Sequence, residues 1–209
     1  MSYDFSLLTA GLRGELLTPE GWAGREPRGV HPAAVLMLFT TEPDPRLTFI
    51  QRAQTLRKHA GQVAFPGGGL EAGDAGPTAA ALREANEEVG LDPSRVQVLG
   101  RLPVSWIPVS RFDVTPVVGT WDGSQELVAV DPAEVRSVFQ VPVSTLADPA
   151  LRVTARHPGG YLGPAWELGD LFLWGFTGHL VDLVLEVAGW ERDWDRERVV
   201  DVPARFRRA

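Results

Sequence analysis

Three glutamates, Glu84, Glu87 and Glu88, crowd the string REANEEVGL at residues 83–91. Each residue of an α-helix turns by about 100°, so Glu88 falls about 40° from Glu84, and Glu87 about 60° to its other side. The three carboxylates therefore share one face. Like charges so spaced cost a helix roughly 0.2–0.5 kcal/mol per pair. Arg83 can pair with Glu87 at i, i+4, which leaves Glu84 and Glu88 facing each other. A hard divalent cation would remove that repulsion. Mg²⁺ typically takes one or two carboxylates together with substrate phosphates and water. Taken alone, EANEE reads more simply as a solvated acidic face. The glycines Gly67, Gly68 and Gly69 just ahead of it change the reading, because backbone without a Cβ can closely approach a ligand. Glycine turn and carboxylate face together make a place to hold a metal beside a phosphate chain.

Other elements must position that face. A helix is predicted from about Pro77 to Val89, with Pro77 at its first position and Gly90 as its C-terminal cap. Leu82, Ala85 and Val89 lie on its opposite arc and can bury against a sheet. The apolar run AAVLMLFT (33–40) reads as a buried strand, and LTFIQRA (47–53) completes a hairpin through EPDPR (42–46). QVAFPGG (62–68) is a third short strand, ended by Pro and Gly. Residues 95–102, 113–121, 134–143 and 151–157 are strand-like, and 144–148 form a short helix. Residues 175–189 have helical spacing, with Phe176, Leu180, Leu183, Val184 and Val187 on one side. Residues 2–17 read as a helix, 18–32 as a loop, and the charged tail after Trp190 as partly mobile. The pattern predicts an α/β chain, an α/β/α sandwich around a mixed β-sheet, in one domain over 1–209 with its core at about 33–185.

The 209 residues suffice for one well-buried core. A hydrophobic fraction of 44% and a charged fraction of 22% are ordinary for a soluble protein. A formal charge of −7 argues against a nucleic-acid coat or a membrane-surface module, so neither nucleic acid nor membrane is an expected partner. A small anionic substrate remains compatible, because a local arginine cluster or a bound cation attracts phosphate despite the global sign. The absence of cysteine rules out thiolate ligands and a cysteine nucleophile. With no secretory pattern at the N-terminus and no long apolar stretch, a cytoplasmic location is expected. Trp106, Trp121, Trp166 and Trp174 read as packing residues before adenine platforms. Arg205, Arg207 and Arg208 read as a solvated basic end.

The motif at 67–91 resembles the box of the Nudix hydrolases. That box runs G, five residues, E, seven residues, then R-E-apolar-x-E-E-x-G-apolar. Gly69 fills its first position, and Arg83, Glu84, Ala85, Glu87, Glu88, Gly90 and Leu91 fill its second half. Ala75 departs from it, standing where the pattern has Glu; Asp74 is adjacent and Glu71 close. The resemblance implies Mg²⁺ or Mn²⁺ held by Glu84 and Glu88, with Glu87 near a second ion or the attacking water. It also implies the Gly68 carbonyl as a further ligand, and Arg83 orienting a glutamate without touching substrate. Upstream, LRKHAGQVAFPGG (56–68) is similar to the signature of the coenzyme A pyrophosphatase branch. Arg52, Leu56, Arg57, His59, Gly61, Gln62, Val63, Phe65, Pro66, Gly67 and Gly68 match, and Ala53 replaces a Ser. That branch commonly lacks the first Glu of the box and carries Asp near position 74. It hydrolyses coenzyme A and its derivatives to 3′,5′-ADP and 4′-phosphopantetheine. Arg52, Arg57, Lys58 and His59, with the glycines 67–69, are then the expected substrate contacts. ADP-ribose or a dinucleoside polyphosphate is the alternative substrate, and a non-catalytic binding module the alternative class. Fold analogy further suggests a homodimer.

Overall fold

The computed structural model describes residues 3–14, 28, 31–56, 58–108 and 111–207. β1 (Pro32–Thr40) is central in a mixed eight-stranded sheet. It runs parallel to β7 (Phe112–Trp121) over nine residue pairs, from Pro32 opposite Asp113 to Thr40 opposite Trp121. It is antiparallel to β2 (Arg46–Arg52), as a hairpin requires, and β2 in turn pairs with β8 (Val135–Pro142).

The expected third strand is two. β3 (Val63–Ala64) pairs with β2, and β4 (Gly67–Gly69) pairs with Ala33–Val35 of β1. Pro66 explains the break, since it has no N–H for a ladder. Its carbonyl instead accepts a hydrogen bond from the Leu36 amide at 2.8 Å. The glycine run is thereby delivered to the edge of β1. β5 (Gln97–Arg101) and β6 (Ser105–Ile107) both pair with β7.

Both faces of β1 are covered, which accounts for its uninterrupted apolar run. Ala34, Leu36 and Leu38 pack with Ala80, Ala81, Ala85 and Val89 of α2 (Pro77–Val89). Met37 and Phe39 pack on the other side with Leu180, Val181 and Val184 of α4 (Gly175–Val187). α1 (Ser6–Leu12) joins that second layer through the buried Leu8 and through Phe5, whose ring meets Phe39 edge-on. It is shorter than the helix expected over 2–17. α3 (Val143–Leu146) is the short helix expected after β8.

A second, four-stranded sheet was only partly expected. It runs β11 (Leu171–Leu173), β10 (Leu162–Leu168), β9 (Arg152–Arg156), β12 (Val199–Asp201). The segment after Trp190 is therefore not a loose tail. β12 lies parallel to β9, and Val202 and Phe206 are fully buried beneath it. Arg205 and Arg207 are anchored as well, Arg205 donating to the Asp170 carbonyl and the Arg207 Nε to the Val202 carbonyl, while Arg208 lies outside the described residues. Among the described residues no helix is long and apolar enough to cross a membrane.

Candidate active site

Helix α2 starts on Pro77 and stops where Gly90 turns left-handed at φ 70°. Those limits place its acidic face under β4. Glu88 is only 6% exposed and accepts a hydrogen bond from the Gly67 amide at 2.9 Å. Gly67 itself stands at φ 157°, and a Cβ there would run into the Ala34 carbonyl of β1. The Glu84 carboxylate lies against Gly68, in the space a Cβ would fill. Glycine is thus required at both positions, once for the backbone path and once for a carboxylate.

Arg83 organises the rest. Its Nε and one terminal nitrogen donate to Asp74 at 3.2 Å each, and that nitrogen also reaches the Gly69 carbonyl at 2.9 Å. The other terminal nitrogen meets Glu87 at 2.9 Å and Glu84 at 3.1 Å. Glu84 is therefore not left uncompensated, as the i, i+4 argument alone had it. Asp74 supplies the carboxylate missing at Ala75, from one position earlier. The hydrogen bonds from Arg83 and the Glu71 amide hold its pKa below the usual range, while Asp74 raises that of Arg83. Glu87 points to Arg83 and is 56% exposed at the side chain, so it stands at the rim of the site.

Burial pushes Glu88 up to about 7, reinforced by the charges of Glu84 and Glu134 and opposed by the Gly67 amide and Arg52. Glu84 is raised too, again chiefly by burial, with Glu87 and Glu134 adding to it and Arg83 opposing. Glu134 was not foreseen. No local spacing marks it, because it is brought in at the start of β8, where its carbonyl accepts from the Ala53 amide at 2.8 Å. Of the expected substrate contacts, Arg52 is half-buried and its charge acts on both Glu88 and His59. Its Nε is buried with no hydrogen-bond partner among the described residues. Lys58 is exposed, and its charge is felt at His59. Arg57 lies outside the described residues. Gly69 contributes its carbonyl to Arg83 and has open space where a Cβ would be.

Among the described residues no three His, Asp or Glu side chains already surround one point. The donor chemistry nevertheless fits a hard cation. Glu84 and Glu88 are adjacent anionic oxygen donors, each held against its own ionisation by burial. A divalent ion would offset that cost by supplying the opposite charge. Replacing Gly68 by Ala tests how tightly Glu84 is held. The methyl displaces only the end of a flexible side chain, so the fold should persist with Tm changed by no more than a few degrees. Metal-supported turnover should fall about 10²-fold, the scale of an ångström-sized misplacement. Thermal melts and steady-state kinetics on the same preparation read both; unchanged kcat/KM would show that Glu84 is not needed where it stands.

A sequence model described as the NUDIX domain matches residues 30–159. An uncharacterized Nudix hydrolase named NudL from Shigella flexneri is 40% identical over 183 residues, covering 84% of this chain and 91% of its own length. The Cronobacter sakazakii protein of the same name is equally similar over the same shares. A solved Nudix hydrolase from M. smegmatis, RenU, superposes with a TM-score of 0.54 at 20% identity, over 79% of this chain and 90% of that one. At that identity the likeness speaks for the fold alone.

Proposed function

The chain belongs to the Nudix hydrolase family, and on that premise we propose that it hydrolyses the diphosphate bond of coenzyme A or its derivatives. The products are 3′,5′-ADP and 4′-phosphopantetheine or its acyl form. The observation that carries this reading is Arg52. It belongs to the upstream signature, and its buried, unpartnered Nε lies within electrostatic reach of Glu88. A buried cationic donor without a partner costs free energy unless a ligand supplies one. A phosphate oxygen is the natural acceptor. Lys58 adds charge at the same end of the site.

Glu84 and Glu88 would hold Mg²⁺ or Mn²⁺, with the Gly68 carbonyl as a further ligand. When bound, the ion offsets charge on the phosphoryl oxygens and acidifies water. The chain's own groups do the positioning. Arg83 locks Glu84 and Glu87 in place, β4 closes one wall, and Arg52 with Arg57 orients the phosphates. Glu87 accepts the proton of the attacking water. Glu134 is the competing acceptor, because its charge reaches both Glu84 and Glu88. A pure binding module would have no use for this carboxylate set.

A substrate panel with Mg²⁺ and Mn²⁺, read by product mass, tests the reading. Release of 3′,5′-ADP from coenzyme A is expected. Intact coenzyme A beside cleaved ADP-ribose or dinucleoside polyphosphate would overturn the substrate, and no turnover of any diphosphate would overturn the activity. Arg52→Ala and Arg57→Ala should each raise KM for coenzyme A about tenfold or more, as loss of a charge-assisted hydrogen bond does. An unchanged KM would remove that residue from the phosphate site.

A further inference from the structure

The turn at 58–62 carries a histidine in an unusual setting. His59 has φ 57°, one of two non-glycine residues at positive φ among the described residues. Such a conformation in a non-glycine residue must be held by its surroundings. The Gln62 amide N–H donates back to the His59 carbonyl at 3.2 Å, and the Arg52 amide donates to the Gln62 carbonyl at 3.0 Å. The side chains close the same turn. His59 Nδ1 lies 3.1 Å from Gln62 Oε1, while Gln62 Nε2 donates to the Phe206 carbonyl at 2.9 Å.

That last contact decides the first. A carbonyl can only accept, so the Gln62 group facing Phe206 must be its NH₂. Oε1 is then what faces His59, and a neutral imidazole must put its proton on Nδ1 to meet it. Nε2 keeps a lone pair and has no hydrogen-bond partner among the described residues. Burial favours the neutral ring, and the charges of Arg52 and Lys58 act the same way against the Gln62 hydrogen bond. These surroundings weigh against the ring as one more cationic phosphate donor.

We propose that Phe206, acting through Gln62, fixes His59 as the Nδ1–H tautomer, so that its Nε2 accepts a hydrogen bond from a hydroxyl or amino group on the nucleoside part of the substrate. His59 is on this account a specificity residue, and Gln62 a positioning residue held by the C-terminal segment. The substrate half of the statement rests on the coenzyme A reading; the tautomer does not. An N–H or O–H donor satisfies that lone pair, and a fully ionised phosphate next to it would be repelled.

Two measurements test it on the full chain. Long-range ¹H–¹⁵N spectra of the imidazole should show His59 protonated at Nδ1 in the wild type, and redistributed toward Nε2 in Gln62→Ala. An Nε2–H ring in the folded wild type overturns the relay. In kinetics with coenzyme A, His59→Ala should raise KM about tenfold with kcat within a factor of about two, the scale of one hydrogen bond. That penalty should vanish on one of two analogues, the one lacking the ribose 2′-hydroxyl or the one lacking the adenine 6-amino group. A penalty that persists undiminished on both overturns the acceptor role. If wild type leaves coenzyme A uncut, the coenzyme A reading has failed and the substrate half goes with it, while the spectra still judge the relay.

Discussion

Glu88→Gln is expected to abolish metal-supported turnover, a loss of at least about 10²-fold in kcat, while the fold persists. Even an indirect partner of a metal ligand is typically worth 10–100-fold, so a direct ligand should exceed that range. Gln keeps the shape and an oxygen to accept from the Gly67 amide, so the clamp between α2 and β4 survives. It removes the charge. In metal-free protein that is a gain, and its pH dependence has a definite sign. The Glu88 carboxyl, raised from 4.5 to about 7 in the folded chain, binds a proton there that the unfolded chain has released. The stability this group contributes is present below about pH 4.5 and is lost as pH rises through about 7. In chelator, wild type should therefore lose Tm between pH 5 and 8 by more than Glu88→Gln does. With saturating Mg²⁺ the order should reverse, because only the wild type gains binding energy from the ion. Retained turnover in saturating Mg²⁺ would take Glu88 out of the site, and a lower Tm for the Gln variant in chelator would make the carboxylate structural.

The helix that carries the acidic face was legible to the residue because everything that defines it is local. Pro77, Gly90 and the arc of Leu82, Ala85 and Val89 set its ends and its face without reference to the rest of the chain. The long strands of the large sheet were legible for a related reason, whereas the three-residue β6 was not expected. β1 is buried on both faces, so its apolar run is unbroken. The second sheet was harder to see. β10 (LGPAWEL) carries Gly and Pro in its interior, and β11 and β12 have three residues each, too few for a period to show. The segment after Trp190 looked solvated because its charges are dense. Their partners are far away in sequence, as with Arg198, which bonds the Ala150 carbonyl and Glu167. Glu134 and the Gln62–Phe206 contact were invisible for the same reason, since tertiary placement alone makes them part of a site. The departure at Ala75 is the converse case. Asp74 was next to it in the sequence, and the fold shows that a shift of one position still reaches Arg83.

Removing Arg152 should be among the most destabilising single changes in the protein, and it should leave the chemistry alone. Arg152 sits on β9 with no exposed surface. Its guanidinium centre lies 4.4 Å from the Trp194 ring and 5.1 Å from that of Trp166. One terminal nitrogen bonds Glu191 at 3.1 Å and the other bonds Asp182 of α4, while its Nε has no partner. Arg196 closes the group by stacking on Trp194 and pairing with Glu191. One cation thus joins β9, α4 and the segment that leads into β12. Arg152→Ala leaves Asp182 without its ion-pair partner and Glu191 with Arg196 alone, a loss of about 3–5 kcal/mol for a broken buried pair. For a chain of this size that corresponds to a Tm lower by roughly 6–20 °C. Burial already raises the pKa of Asp182 and Arg152 opposes it, so the variant should raise it further. A raised carboxyl favours folding at low pH and loses that contribution as pH rises. The Tm deficit should accordingly shrink on acidification. Arg152→Lys should recover little, because an ammonium cannot reproduce the planar contact with two indoles while bonding two carboxylates. Replacing Arg152, Asp182 and Glu191 together by apolar residues of similar volume should recover most of the loss, since no buried charge is then left alone. Turnover measured well below the melting range should stay within about twofold of wild type, because α2 and β4 take no part in the cluster. A Tm within 2 °C of wild type for Arg152→Ala, or a deficit that grows on acidification, would show that the C-terminal segment is held by its apolar contacts alone, with Val202 and Phe206 sufficient to anchor it.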